Sequence, residues 1–336
     1  MDTLITKAAL SLLPIREPDY TEVVEVINAS DRKFVGYNIV TVEELANDLK
    51  TFETDPEKDT CVVRAADGKI IAYADFWPGV APHVRMFGFV RIHPDHKGEG
   101  AGTAVTQWLN SRASEVLVNA PPDLKVTLGQ RAYANQPGAK AFLESCGYIY
   151  DRSSYRMNIE LNREIPEPRF PAGITLVNIQ RDDADLRRAL QAQQEAFLDH
   201  YGVIPEPFEE YFKREKAHIL GDEANDLSAS YMALDGDQVA AVCVNQTSIA
   251  GYTGSAWVGT LSVRRPWRKL GLGLALLRTT FSEMQRRGKH EVGLYVDAQN
   301  LTGALRLYQQ AGMSVQYESC YYEKVLREGK DLANKG

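Results

Sequence analysis

The chain repeats itself, and the repeat limits what it can fold into. The stretch Ile92-His93-Pro94-Asp95-His96-Lys97-Gly98-Glu99-Gly100-Ala101-Gly102 returns as Val263-Arg264-Arg265-Pro266-Trp267-Arg268-Lys269-Leu270-Gly271-Leu272-Gly273. Ile92 falls over Val263, Lys97 over Arg268, Gly100 over Gly271 and Gly102 over Gly273. Ahead of the second copy, Ala256 to Val263 has the apolar and β-branched character of a buried strand. Behind it, Leu274, Leu277, Phe281 and Met284 recur at the spacing of one helical face. Val105, Trp108 and Leu109 open a matching face in the first copy. Further on, Asn135 to Gly147 reads against Asn300 to Gly312 without a gap. Asn suits the N-cap and Gly the left-handed end of a helix, so each segment is expected to be one short Asn-capped helix. One unit is therefore folded twice.

Between the copies, Leu161 to Gly173 carries Pro166, Pro168 and Pro171 among mixed charges and breaks all periodicity. The expected division is an N-terminal domain over 1–162, a linker over 163–173 and a C-terminal domain over 174–336. Each half reads strand, two helices, a run of antiparallel strands, the glycine-turn helix, a strand, a short helix and a last strand. That order belongs to an α+β layer, a mixed and mostly antiparallel sheet flanked by helices.

The glycine turn carries the chemistry. It sits at a helix N-terminus, where backbone N–H groups lack intrahelical partners and the dipole is positive, so an anion such as phosphate docks there. Glycine lets that anion approach without a Cβ in the way, and Arg268 adds a fixed positive charge. The formal net charge of −7 argues against a general nucleic-acid binder and fits a cationic small substrate better. No stretch reaches membrane-spanning length, and Cys61, Cys146, Cys243 and Cys320 show neither metal-knuckle nor disulfide spacing. A cytoplasmic protein with reduced, mostly buried thiols and no metal is expected.

Arg268, Gly271 and Gly273 match the acyl-CoA signature of the GNAT superfamily of N-acyltransferases, an Arg or Gln followed three residues later by Gly, any residue, then Gly or Ala. The chain resembles two tandem GNAT domains over nearly all of its length. The resemblance implies acetyl-CoA as acyl donor. Its pyrophosphate would lie on Arg268, Lys269, Leu270, Gly271, Leu272 and Gly273, and its pantetheine beside the backbones of Leu261 and Val263. Tyr308 stands where many members place a tyrosine facing the coenzyme A sulfur, and a phenol with pKa near ~10 can protonate a departing thiolate. Asn300 resembles the side chain that contacts the cofactor arm, a role compatible with capping a helix. The family pattern places no general base here. His200, in the loop after the first helix of the half, is the candidate because imidazole titrates near neutral pH.

The first half departs from this pattern. Lys97 replaces Arg268 and loses the two-pronged grip on phosphate, Glu99 puts a negative charge where Leu270 stands, and Phe142 is read as the counterpart of Tyr308. That half is expected to be degenerate. Between Glu206 and Asp226 carboxylates outnumber cations, giving either an acidic rim for a protonated amine or a solvated face of charge pairs. The functional expectation is transfer of an acetyl group to a primary amine of a small molecule. The alternatives are a protein N-acetyltransferase and a non-catalytic acyl-CoA sensor. The tethered halves are expected to act as a pseudo-dimer within a monomer, or to form a homodimer.

Overall fold

The computed structural model describes residues 10–51, 55–221, 224–249, 252–300 and 303–333. The first repeat forms β1 (Ser11–Leu13), α1 (Tyr20–Val35), α2 (Val42–Thr51), the single turn α3 (Pro56–Asp59), β2 (Thr60–Arg64), β3 (Ile70–Trp77), β4 (Arg85–Ile92), α4 (Ala101–Leu117), β5 (Val126–Tyr133), α5 (Pro137–Ser145) and β6 (Ile149–Glu160). The second forms β7 (Ile174–Asn178), α6 (Asp183–Phe197), α7 (Phe208–Gly221), β8 (Tyr231–Asp235), β9 (Gln238–Gln246), β10 (Ser255–Val263), α8 (Leu272–Arg286), β11 (Glu291–Asp297), α9 (Ala304–Gln310) and β12 (Ser314–Arg327). The chain folds into two compact units. Unit 1 comprises Met1–Arg152 with Ser319–Leu332, and unit 2 comprises Ser153–Glu318 with Ala333–Gly336.

The repeats and the units do not divide the chain along the same line. In unit 1 the strand order is β1-β2-β3-β4-β5-β12, and in unit 2 it is β6-β11-β10-β9-β8-β7. Each sheet thus ends on the last strand of the other repeat. β12 runs antiparallel to β5 from Ser319 opposite Tyr133 to Arg327 opposite Val126. β6 runs antiparallel to β11 from Ser154 opposite Asp297 to Glu160 opposite Glu291.

Alternation along the strands sorts side chains to two layers in each unit. In unit 2, Ala241 and Cys243 of β9 face a core with Leu276, Leu277 and Phe281 of α8, joined by Met157 and Ile159 of the exchanged β6. Val242 and Val244, one residue out of phase, face Leu186 and Leu190 of α6 and Phe212 of α7. Unit 1 repeats the scheme, with Val23 and Ile27 of α1 on one face and Ala101 and Val105 of α4 on the other.

Helix ends follow local chemistry. Asp182 caps α6 by accepting the N–H of Asp185 at 2.9 Å. The Asn caps expected on the two short helices are corrected by the structure. α5 starts at Pro137, whose fixed φ presets the first turn, with Gln136 as its cap, and α9 starts after Gly303 at φ 80°. The glycine ends hold: Gly147 and Gly312 take φ 82° and 95°. The carboxylate run resolves into charge pairs, with Glu209 on Arg187, Glu206 and Glu215 on Arg214, and Asp226 on Arg287. Asp222 and Glu223 of that run lie outside the described residues. No described helix is long and apolar enough to cross a membrane.

Candidate active site

In unit 2 the parallel neighbours β10 and β11 pair only through Ser255, Ala256 and Trp257, opposite Glu291, Val292 and Gly293. Beyond these residues the two strands no longer pair with each other. On its other side β10 shifts register against β9 between Val258 and Thr260, so Gly259 sits in a bulge. Beyond it, Leu261 and Val263 turn their side chains to the α8 core while among the described residues no strand lies beside their backbone on the β11 side. This is the geometry an extended chain can fill by adding backbone hydrogen bonds.

The parted strands lead to the turn. Lys269 takes φ 64° and Gly271 φ 89°, and α8 begins with the N–H of Ala275 bonding to Gly271 O at 3.0 Å. The N–H groups of its first turn are left for an acceptor outside the helix. Lys269 pays for a left-handed backbone that Gly98 adopts freely at the matching place in unit 1, φ 88°. Lys269, Leu270 and Gly271 are exposed, whereas Leu272 and Gly273 are buried. A Cβ on Gly273 would lie 2.9 Å from Leu307 Cδ2, so this glycine allows α9 to lean on the first turn of α8.

Arg268 is engaged within the protein. Its Nε donates to Val263 O at 3.0 Å, Nη2 donates to Ala196 O at 2.8 Å and to Asp199 Oδ1 at 3.0 Å, and Nη1 donates to Asp199 Oδ2. Hydrogen bonds from Arg268 hold the Asp199 carboxyl at about 2, with Arg265 adding a second pair at 3.2 Å. Asp199 was not singled out in the sequence, where its only mark is a carboxylate beside His200.

His200 follows directly. Its ring lies 4.6 Å from that of Phe197, and burial lowers its pKa, opposed by the charge of Asp199. Asp297, at the end of β11, and Arg268 also act on it. Asn300 lies beyond Asp297 and donates its N–H to Asp297 O at 3.1 Å. The structure therefore gathers His200, Asp297, Arg268 and the glycine turn at one end of the sheet. Ser262, also missed in the sequence, is buried there between Leu261 and Val263, and its hydroxyl has no partner among the described residues.

Tyr308 lies in α9 next to Leu307. It is 9% exposed, and burial raises its pKa, with the Cys243 thiol adding to the effect. Its hydroxyl makes no hydrogen bond among the described residues. The expectation that Phe142 matches Tyr308 is corrected. A Cβ on Gly102 would meet Phe142 at 3.5 Å as one on Gly273 would meet Leu307, and the closing bond from Tyr148 N to Leu143 O at 3.1 Å repeats that from Met313 N to Tyr308 O at 3.0 Å. Leu143 is the counterpart, a shift that the common spacing of Asn135 over Asn300 already contains.

Unit 1 has the same parting strands, with β4 and β5 paired only from Arg85–Phe87 to Thr127–Gly129. What surrounds them differs. Lys97 is exposed above the Phe34 ring, and Glu99 faces His96 at 3.1 Å. Where unit 2 has Ser262, unit 1 has Arg91, mostly covered and ion-paired with the buried Asp31, which also accepts from Tyr133 Oη at 3.0 Å. Phe34 stacks on Tyr133 at 5.4 Å. This cluster stands at the end of β5, as Asp297 stands at the end of β11.

The profile of the Acetyltransferase (GNAT) family matches residues 23–148 and again 186–313. Among relatives, the mycothiol acetyltransferase of Saccharopolyspora erythraea is 25% identical over 273 residues, spanning 80% of this chain and 86% of its own. That of Geodermatophilus obscurus is 28% identical over 256 residues, spanning 74% and 77%. A GCN5-related N-acetyltransferase from Sphaerobacter thermophilus superposes over 98% of this chain and 99% of its own, with TM-score 0.82 and 29% identity. A tandem GNAT protein from the clavulanic acid biosynthesis pathway shares the fold at TM-score 0.73 and 16% identity, covering 96% of this chain and 100% of its own. With one family matched twice over most of its length, and a tandem structure of the same fold beside it, the chain belongs to the GNAT family of acetyltransferases, as a tandem-domain acyltransferase similar to the mycothiol acetyltransferases.

Proposed function

We propose that unit 2 transfers the acetyl group of acetyl-CoA to a primary amine of a small molecule by direct attack, and that the repeat over 1–162 is a copy without chemistry while 174–336 carries the site. The observation that carries this reading is the parting of β10 from β11 beside the left-handed turn that starts α8. The gap suits the pantetheine along Leu261 and Val263, and the turn from Lys269 to Gly273 suits the pyrophosphate. Arg268 shapes that turn through Val263 O and Asp199 rather than ending at its open side. Acetyl-CoA supplies a thioester activated enough that positioning and proton transfer suffice.

The residues divide the proton work. Burial keeps His200 neutral near pH 7, so its free ring nitrogen accepts the proton that the amine nitrogen sheds on bonding to the acetyl carbon. Burial keeps Tyr308 protonated, and its hydroxyl gives that proton to the sulfur as the carbon–sulfur bond breaks. Asn300 is read as a contact to the cofactor arm. Unit 1 lacks a phenol at Leu143 and fills its acceptor side with Arg91 and Asp31. Incubation with labelled acetyl-CoA and a panel of small amines, peptides and proteins tests the reading. Label on a small amine supports it, label on protein N-termini or lysines shifts the acceptor class, and binding without label transfer to any acceptor means a sensor.

A further inference from the structure

The Asp199–Arg268 contact joins two segments with different tasks. Asp199 lies in the loop after α6, one residue before His200, while Arg268 is the first residue of the glycine-turn signature. The joint uses four of the five N–H groups of the guanidinium, on both carboxylate oxygens of Asp199, the carbonyl of Ala196 on the last turn of α6, and the carbonyl of Val263 at the end of β10. Both side chains are mostly covered, at 22% and 23% exposure, so this is not a solvated surface pair. A planar fork that grips a carboxylate in two places and two carbonyls besides fixes orientation as well as distance.

We infer that Asp199 and Arg268 are positioning residues of the acetyl transfer, forming a clasp that holds the His200 loop in register with the cofactor turn. The inference rests on the reading of His200 as base, and it adds two claims to it. Arg268 acts through Asp199 and the backbone, not as a direct phosphate ligand. The charges on the clasp also oppose one another at His200: the Asp199 carboxylate, helped by Asp297 of β11, favours the imidazolium, while Arg268 disfavours it. Arg265 bonds the same carboxylate and further favours its charged form.

The test combines Asp199→Asn, Arg268→Gln, the double variant and His200→Gln in the full-length protein. Coenzyme A affinity is read by calorimetry, steady-state rates against amine over pH 5 to 9, and backbone amide exchange across residues 197–203 and 265–271 in the ligand-free protein. The clasp predicts that each single variant lowers kcat/KM for the amine by about 10–100-fold, with the double variant no worse than the poorer single one. The two singles should alter coenzyme A affinity alike and speed exchange in both segments. The acid limb of kcat/KM should move to lower pH in Asp199→Asn and to higher pH in Arg268→Gln, a split that loss of structure would not produce. Arg268→Gln weakening coenzyme A by tenfold or more while Asp199→Asn leaves it unchanged would overturn the clasp, as would additive losses in the double variant. If exchange couples the segments but His200→Gln keeps wild-type rates and an unmoved acid limb, the clasp stands and the base reading falls.

Discussion

Leu307 of α9 reaches to within 2.9 Å of where the Cβ of residue 273 would stand, so the tightness of the α8–α9 contact sets where Tyr308, the next residue, can be. The approaching atom ends a flexible side chain. Gly273→Ala should therefore be absorbed by a small rotation of Leu307, with stability within about 1 kcal/mol of wild type. Gly273→Val should cost ~1–3 kcal/mol by overpacking and lower turnover by separating the helices, as thermal melts and rate measurements would show.

Gly271→Glu should abolish coenzyme A binding by calorimetry. Nothing crowds a Cβ there, but φ 89° is costly for any side chain, and a carboxylate would oppose an anion at the helix N-terminus. An affinity equal to wild type would move the cofactor elsewhere.

Tyr308→Phe should lower kcat by ~10²–10⁴ with little change in acetyl-CoA affinity, since only the departing sulfur needs the proton. Because that hydroxyl bonds nothing among the described residues, melting temperature should hardly change. Leu143→Tyr should not give unit 1 activity while Arg91 and Asp31 close its acceptor side.

For pH, His200 has a folded pKa below its ordinary value because burial disfavours its charge. Its neutral form is thus favoured by the fold. The stability this contributes is complete above the unfolded value of ~6.5 and is lost as pH falls from there through the folded value. The acid limb of kcat/KM should accordingly lie below pH ~6.5 and vanish in His200→Gln.

A fragment starting at residue 174 should be poorly soluble and weakly active. It lacks Ser154–Glu160, which pairs along β11, and with it Met157 and Ile159 of the unit 2 core. A fragment starting at Ser153 should be better behaved in solution. Conversely, a chain ending at Glu318 should loosen unit 1, which then loses the strand beside β5, as limited proteolysis would detect.

The sequence by itself determined the duplication, the order of elements, the glycine turn and the short helices closed by Gly147 and Gly312, because periodicity, backbone freedom and spacing act within a few residues of chain. It pointed to Arg268 and Tyr308 at motif positions, and to His200 by the chemistry of imidazole alone. It did not show that Arg268 is held by a carboxylate in another helix's trailing loop, since nothing local marks Asp199 as a partner. It did not show Gly303 starting α9, where a left-handed glycine overrode the preference of Asn for a cap. The exchange of β6 and β12 was likewise decided only in the tertiary structure. Either last strand has the alternation to complete either sheet, so which neighbour it joins depends on long-range packing and register that no stretch of sequence carries alone.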